Sequence, residues 1–172
     1  MKQLFFLLLI FFLSSTINAQ NKSTETSKNI QEATKIYREL FLAKKFQELS
    51  NFASPKLIEY LNTKQDLIYL MNELNKNIES KDATISNIIF GENSEIITYN
   101  KELQCSIPFT LEMYDAKKNV FFYSGLALIS FDDGKTWFFT FKVDGDNIKN
   151  NQILGLNENI LIQDRSQKII NK

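Results

Sequence analysis

Ser130-Phe131-Asp132-Asp133-Gly134-Lys135-Thr136-Trp137 separates two apolar runs, residues 120–129 and 138–143, and holds the only tryptophan of the chain. Glycine supplies a positive φ at a turn without steric cost, and an aspartate ahead of it accepts hydrogen bonds from the N–H groups that follow. Thr136 and Trp137 are residue types that strands favour, so they are expected to restart a strand. The stretch predicts a hairpin between two long strands.

Working outward, the grammar on both sides of this turn is that of a sheet. Upstream, Leu103, Cys105, Ile107, Phe109, Leu111 and Met113 alternate with Gln104, Ser106, Thr110 and Glu112, the period-two pattern of a half-buried strand. Pro108 interrupts the polar set and has no N–H for a ladder, which predicts a bulge, a bend or a locally unpaired edge. Residues 83–90 and 94–99 flank Gly91-Glu92-Asn93 and read as a further hairpin. Downstream, Asp144-Gly145-Asp146-Asn147 is expected to close the sheet, leaving residues 144–172 as a C-terminal arm or tail.

Before residue 83 the period is helical. Ile30, Ala33, Tyr37, Leu40 and Phe41 share one face, with Ser27 as the expected N-cap. Ser54-Pro55 opens a second helix with the proline at its first position, and Thr63 through Asp66 caps a third. Leu67, Leu70, Met71, Leu74 and Ile78 mark the expected buried stripe of the last. The order, helices and then antiparallel strands, predicts an α+β fold in one domain over residues 29–143.

The first segment reads as a signal peptide over residues 1–19. Lys2 precedes an apolar run at residues 4–13, too short to span a bilayer, and the expected cut lies between Ala19 and Gln20. No cysteine near that site makes a lipobox. Residues 20–28 read as a disordered leader. The expected location is the periplasm or outside the cell, with no stable membrane anchor after processing. Lys and Arg number 20 and Asp and Glu 20, so no basic excess points to nucleic acid. One cysteine excludes an intramolecular disulfide.

Two resemblances rest on these residues. Ser130, Asp132, Gly134, Thr136 and Trp137 have the spacing of an Asp-box, a hairpin found in sialidases and other β-proteins, which implies structure and not chemistry. The element order over residues 29–143 resembles the NTF2-like superfamily, with its SnoaL-like and ketosteroid-isomerase-like branches, including secreted bacterial members with a similar DGKTW hairpin. That resemblance implies helices packed into the hollow of a curved antiparallel sheet, a cone.

The chain has no histidine, which removes the usual neutral-pH base and the commonest zinc ligand. Cys105 lies on the apolar side of its strand and reads as packing. Asp144 and Asp146 do not continue into a calcium loop, because Ile148 and Gly155 stand where ligands belong. No metal and no cofactor are expected. The isomerase-like branch pairs a carboxylate base with a tyrosine donor; Tyr37 could be the donor, but the inward side of the alternating strand offers no carboxylate. The expected function is a secreted, non-enzymatic binding domain that holds a small apolar ligand in the hollow through Tyr37, Phe41, Phe109 and Leu111. The alternative is a protein-interaction or homodimerisation module on the open sheet face, with Phe122, Phe138 and Tyr114 as exposed aromatics; a small isomerase or hydrolase is third.

Overall fold

Helix caps written in the sequence start the molecule. In the computed structural model, which describes residues 24–172, helix α1 occupies 24–42. The expected leader therefore gives way to helix from residue 24, and Ser27 lies inside it. Thr26 is buried against the turn at Gly134, a contact that orders this end. The cleavage site at Ala19 and Gln20 lies outside the described residues. A short α2 (Phe46–Leu49) runs into a 3-10 turn (Ser50–Phe52). α3 (Pro55–Leu61) begins at Ser54, whose Oγ accepts from Leu57 N at 3.2 Å. α4 (Lys64–Glu79) begins at Thr63, whose Oγ1 accepts from Asp66 N at 3.1 Å and donates to the Asp66 carboxylate at 2.6 Å. Both caps satisfy N–H groups that the first turn leaves without partners. On α4 the buried side chains are Leu67, Ile68 and Met71, whereas Leu70 and Leu74 of the expected stripe are exposed.

The sheet is built on two 13-residue strands, β3 (Glu102–Tyr114) and β4 (Lys118–Ser130), paired antiparallel without a register break. Each outer edge of this pair carries two shorter strands end to end. β1 (Thr84–Phe90) and β2 (Ile97–Tyr99) both pair with β3; β5 (Phe138–Phe141) and β6 (Ser166–Asn171) both pair with β4. The expected hairpin at Gly91-Glu92-Asn93 is therefore an interruption within one edge, not a turn. The turn lies at Asn100-Lys101, between paired Tyr99 and Glu102, with φ of 49° and 67°. Two successive positive φ values give the turn the twist that an antiparallel hairpin needs.

Pro108 sits at that interruption. Its carbonyl accepts from Gly91 N at 2.9 Å, and in extended backbone a residue's N and O point to the same side. The missing N–H thus faces the gap between β1 and β2, where no ladder bond is lost. This is the locally unpaired edge among the sequence's three options.

Register assigns the two faces. Leu103, Cys105, Ile107, Phe109, Leu111 and Met113 share the inner face with Leu126, Leu128, Phe139 and Phe141, and the helices pack there through Tyr37, Phe41, Leu49 and Leu57. The outer face carries Gln104, Ser106, Pro108, Thr110 and Glu112 with Ile129, Ala127, Gly125, Tyr123 and Phe121. Half of it is covered by the C-terminal segment, which packs as an arm. α5 (Asn147–Leu154) starts at Asp146, and Leu154, Leu156, Ile160 and Ile162 join the core. This strap crosses so close that a Cβ at Gly125 would lie 2.9 Å from Gln163 N, a contact no side chain tolerates. It then delivers β6 to the free edge of β4. The fold is α+β in one body, N-terminal helices on a six-stranded antiparallel sheet, as the element order predicts.

Candidate functional site

The hollow between helices and inner face is the first candidate, and the structure fills it with the residues expected to line it. Tyr37 stacks on Phe41 at 5.9 Å and meets Phe139 and Phe90 edge-on at 4.9 and 5.8 Å. Phe90 in turn packs on Phe109 at 6.0 Å, and Leu111 is buried. Tyr37, Phe41 and Phe109 thus belong to one aromatic chain, while Leu111 lies farther along β3 opposite Ile88. The void beside Tyr37, bounded by Ala33, Thr34, Phe52, Leu126, Leu128, Trp137 and Phe139, measures about 10 Å³. That is room for one water at most. Burial pushes the Tyr37 phenol above its ordinary range, and no carboxylate borders this void. Burial likewise pushes the Cys105 thiol up to about 12, which makes it a packing group at neutral pH.

The hairpin of the 130–137 stretch is a closed hydrogen-bond unit. Ser130 Oγ accepts from Gly134 N at 2.9 Å and donates to Asp132 Oδ1 at 2.9 Å. Asp132 Oδ1 also accepts from Thr136 N at 2.8 Å and Lys135 N at 3.2 Å. These bonds, the one from Thr136 N foremost, hold the Asp132 carboxyl below its ordinary range. Gly134 takes φ 87°, and its carbonyl accepts from Trp137 Nε1 at 3.1 Å and Asn29 Nδ2 at 2.8 Å. Trp137 is buried and Thr136 exposed, and both precede β5 instead of starting it. These bonds close the turn and, through the Gly134 carbonyl, dock α1, so they serve the fold.

Beside the strap, a groove of about 400 Å³ opens between residues 106–108 and 161–164. No group of three or more metal-ligating side chains occurs there or elsewhere among the described residues.

The uncovered half of the outer face is the second candidate. Four strands contribute to it, and register sets its side chains in three rows. Ile89, Thr110, Tyr123 and Ser166 form one row; Asn87, Glu112, Phe121 and Lys168 the next; Thr84, Tyr114, Asn119 and Ile170 the last. Ile89, Tyr114 and Ile170 are 47, 46 and 43% exposed, with Phe121 and Tyr123 half-buried between them. Of the aromatics expected on this side, Tyr114 is present. Phe138 lies at the opposite end, against Phe131, and Phe122 points to the inner face. Phe121 and Tyr123 were hidden because residues 120–129 are apolar on both faces and carry no period. Only the pairing partners decide which side each takes.

No model of a known protein family matches the chain, and no curated protein matches it.

Proposed function

We propose that this is an exported, non-catalytic interaction domain of NTF2-like plan, which engages a protein partner through the uncovered half of its outer sheet face. The observation that carries the reading is the contrast between the two candidates. The void beside Tyr37 is about 10 Å³ and the one beside Phe41, between α1, α4 and β1, about 50 Å³, whereas the outer face leaves Ile89, Tyr114 and Ile170 exposed with Phe121 and Tyr123 half-buried between them. Exposed aliphatic side chains with aromatics between them are the composition of an interaction surface. A small apolar ligand in the hollow would have to displace the ring pairs of Tyr37, which the packing opposes.

A photo-crosslinking residue placed at Tyr123 tests this. In the exporting cell it should yield a discrete protein adduct, while the same residue at Leu74, exposed on α4, should yield none. No adduct at Tyr123, together with a melting temperature that rises with hydrophobic small molecules and stops rising in Phe41→Ala, would return the function to the hollow.

A further inference from the structure

The three rows have a symmetry that no single copy uses. In the middle row Phe121 stands between Glu112, on β3, and Lys168, on β6. With strands about 4.8 Å apart, the Cα atoms of the two are roughly 9–10 Å from one another, with Phe121 between them. Neither makes an ion pair among the described residues. Both neighbouring rows share the same centre line along β4, through Tyr123 and Asn119.

From this arrangement we infer that the face is self-complementary, and that its partner is a second copy of this chain docked about a two-fold axis lying along β4. The inference rests on the outer-face reading and names the partner. Rotation about that axis reverses each row. It sets Glu112 against Lys168 of the other copy, and Lys168 against its Glu112, so two unpaired charges become two ion pairs. It sets Tyr114 against Ile170, apolar on apolar, and Thr110 against Ser166, hydroxyl on hydroxyl. Phe121 and Tyr123 meet their own counterparts on the axis, where edge-on or offset ring contacts are favourable. An isologous interface has this property by definition, each residue contacting the image of its complement. The pairs across β4 are complementary in kind, Glu112 with Lys168 and Tyr114 with Ile170, which is what the two-fold requires. The three strands that overlap, β3, β4 and β6, span with three rows roughly 14 by 20 Å, while β1 has no counterpart, so the two copies together bury on the order of 600 Å². That is the size of a weak, transient contact, so the association belongs to high protein concentration.

Charge reversal and its repair test the register. Sedimentation of the protein from micromolar to millimolar concentrations should show a monomer–dimer equilibrium. Glu112→Lys should weaken it by about tenfold or more, because two lysines then face each other twice. Lys168→Glu should do the same, and the double variant Glu112→Lys/Lys168→Glu should regain the wild-type constant. Both positions are solvent-facing, and an unchanged melting temperature of the monomer separates lost docking from lost folding. A dimer indifferent to either reversal, or one that the double variant fails to restore, overturns the two-fold register. A monomer at every concentration that still forms an adduct of another mass at Tyr123 overturns the second copy as partner and leaves the outer-face reading standing.

Discussion

Asp132 and Trp137 show how residues chosen for a turn become determinants of the whole fold. The carboxylate organises the backbone of the turn while the indole closes over it, and the Gly134 carbonyl ties both to α1 through Asn29. Asp132 is exposed, so its bonds compete with water, and Asp132→Ala should cost about 1 kcal/mol in denaturant titration at pH 7. Trp137→Ala removes a buried ring system and should cost about 3–5 kcal/mol. The Asp132 contribution also has a pH signature. Its folded-state carboxyl titrates below the unfolded one, so its stabilisation is full above the unfolded value of about 4 and is lost as pH falls through the lower folded value. The stability gap between wild type and Asp132→Ala should therefore narrow as pH falls below about 4, where a gap constant with pH would assign the effect to packing. Gln104 is the residue that alternation misplaced. It falls on the polar set of its strand, yet it is fully buried, donating to the Gly155 carbonyl and accepting from Asn157 N. A polar residue on an outer face reads as solvated unless the segment that covers it is known.

At the scale of elements, what the sequence carries locally came through and what depends on pairing did not. The caps at Ser54 and Thr63, the alternation of β3 and the 130–137 hairpin are each encoded within a few residues. The break between β1 and β2 is not, because Gly91-Glu92-Asn93 has hairpin chemistry while Asn100-Lys101 lacks the usual glycine. Lys101 pays for that with a φ of 67°, in the left-handed region that side chains avoid. Lys101→Gly should stabilise the protein by about 0.5–1 kcal/mol, read as a higher denaturant midpoint. A loss of stability would mean that the Lys101 side chain makes a contact outweighing its backbone strain. The strap from α5 to β6 was legible only as a packed arm: Leu154, Leu156, Ile160 and Ile162 mark its apolar side, but nothing in them says which sheet face it crosses.

For the molecule as a whole, the two faces of the sheet have different fates. Helices fill the inner face, the strap seals half of the outer one, and the remainder stays open. Composition and period predicted the layers, because an apolar stripe on each helix and an apolar side on β3 must meet. The candidate site was not legible, since an apolar strand such as β4 looks alike from both sides until its partners are placed. Oxidative footprinting of the protein over a dilution series reads both faces at once. Tyr37 and Phe41 should stay unmodified throughout, while Tyr114, Phe121 and Tyr123 should be modified in dilute solution and protected as concentration rises. Modification of Tyr37 and Phe41 alongside an outer face indifferent to concentration would contradict the account, by opening the hollow and leaving the outer face without a partner.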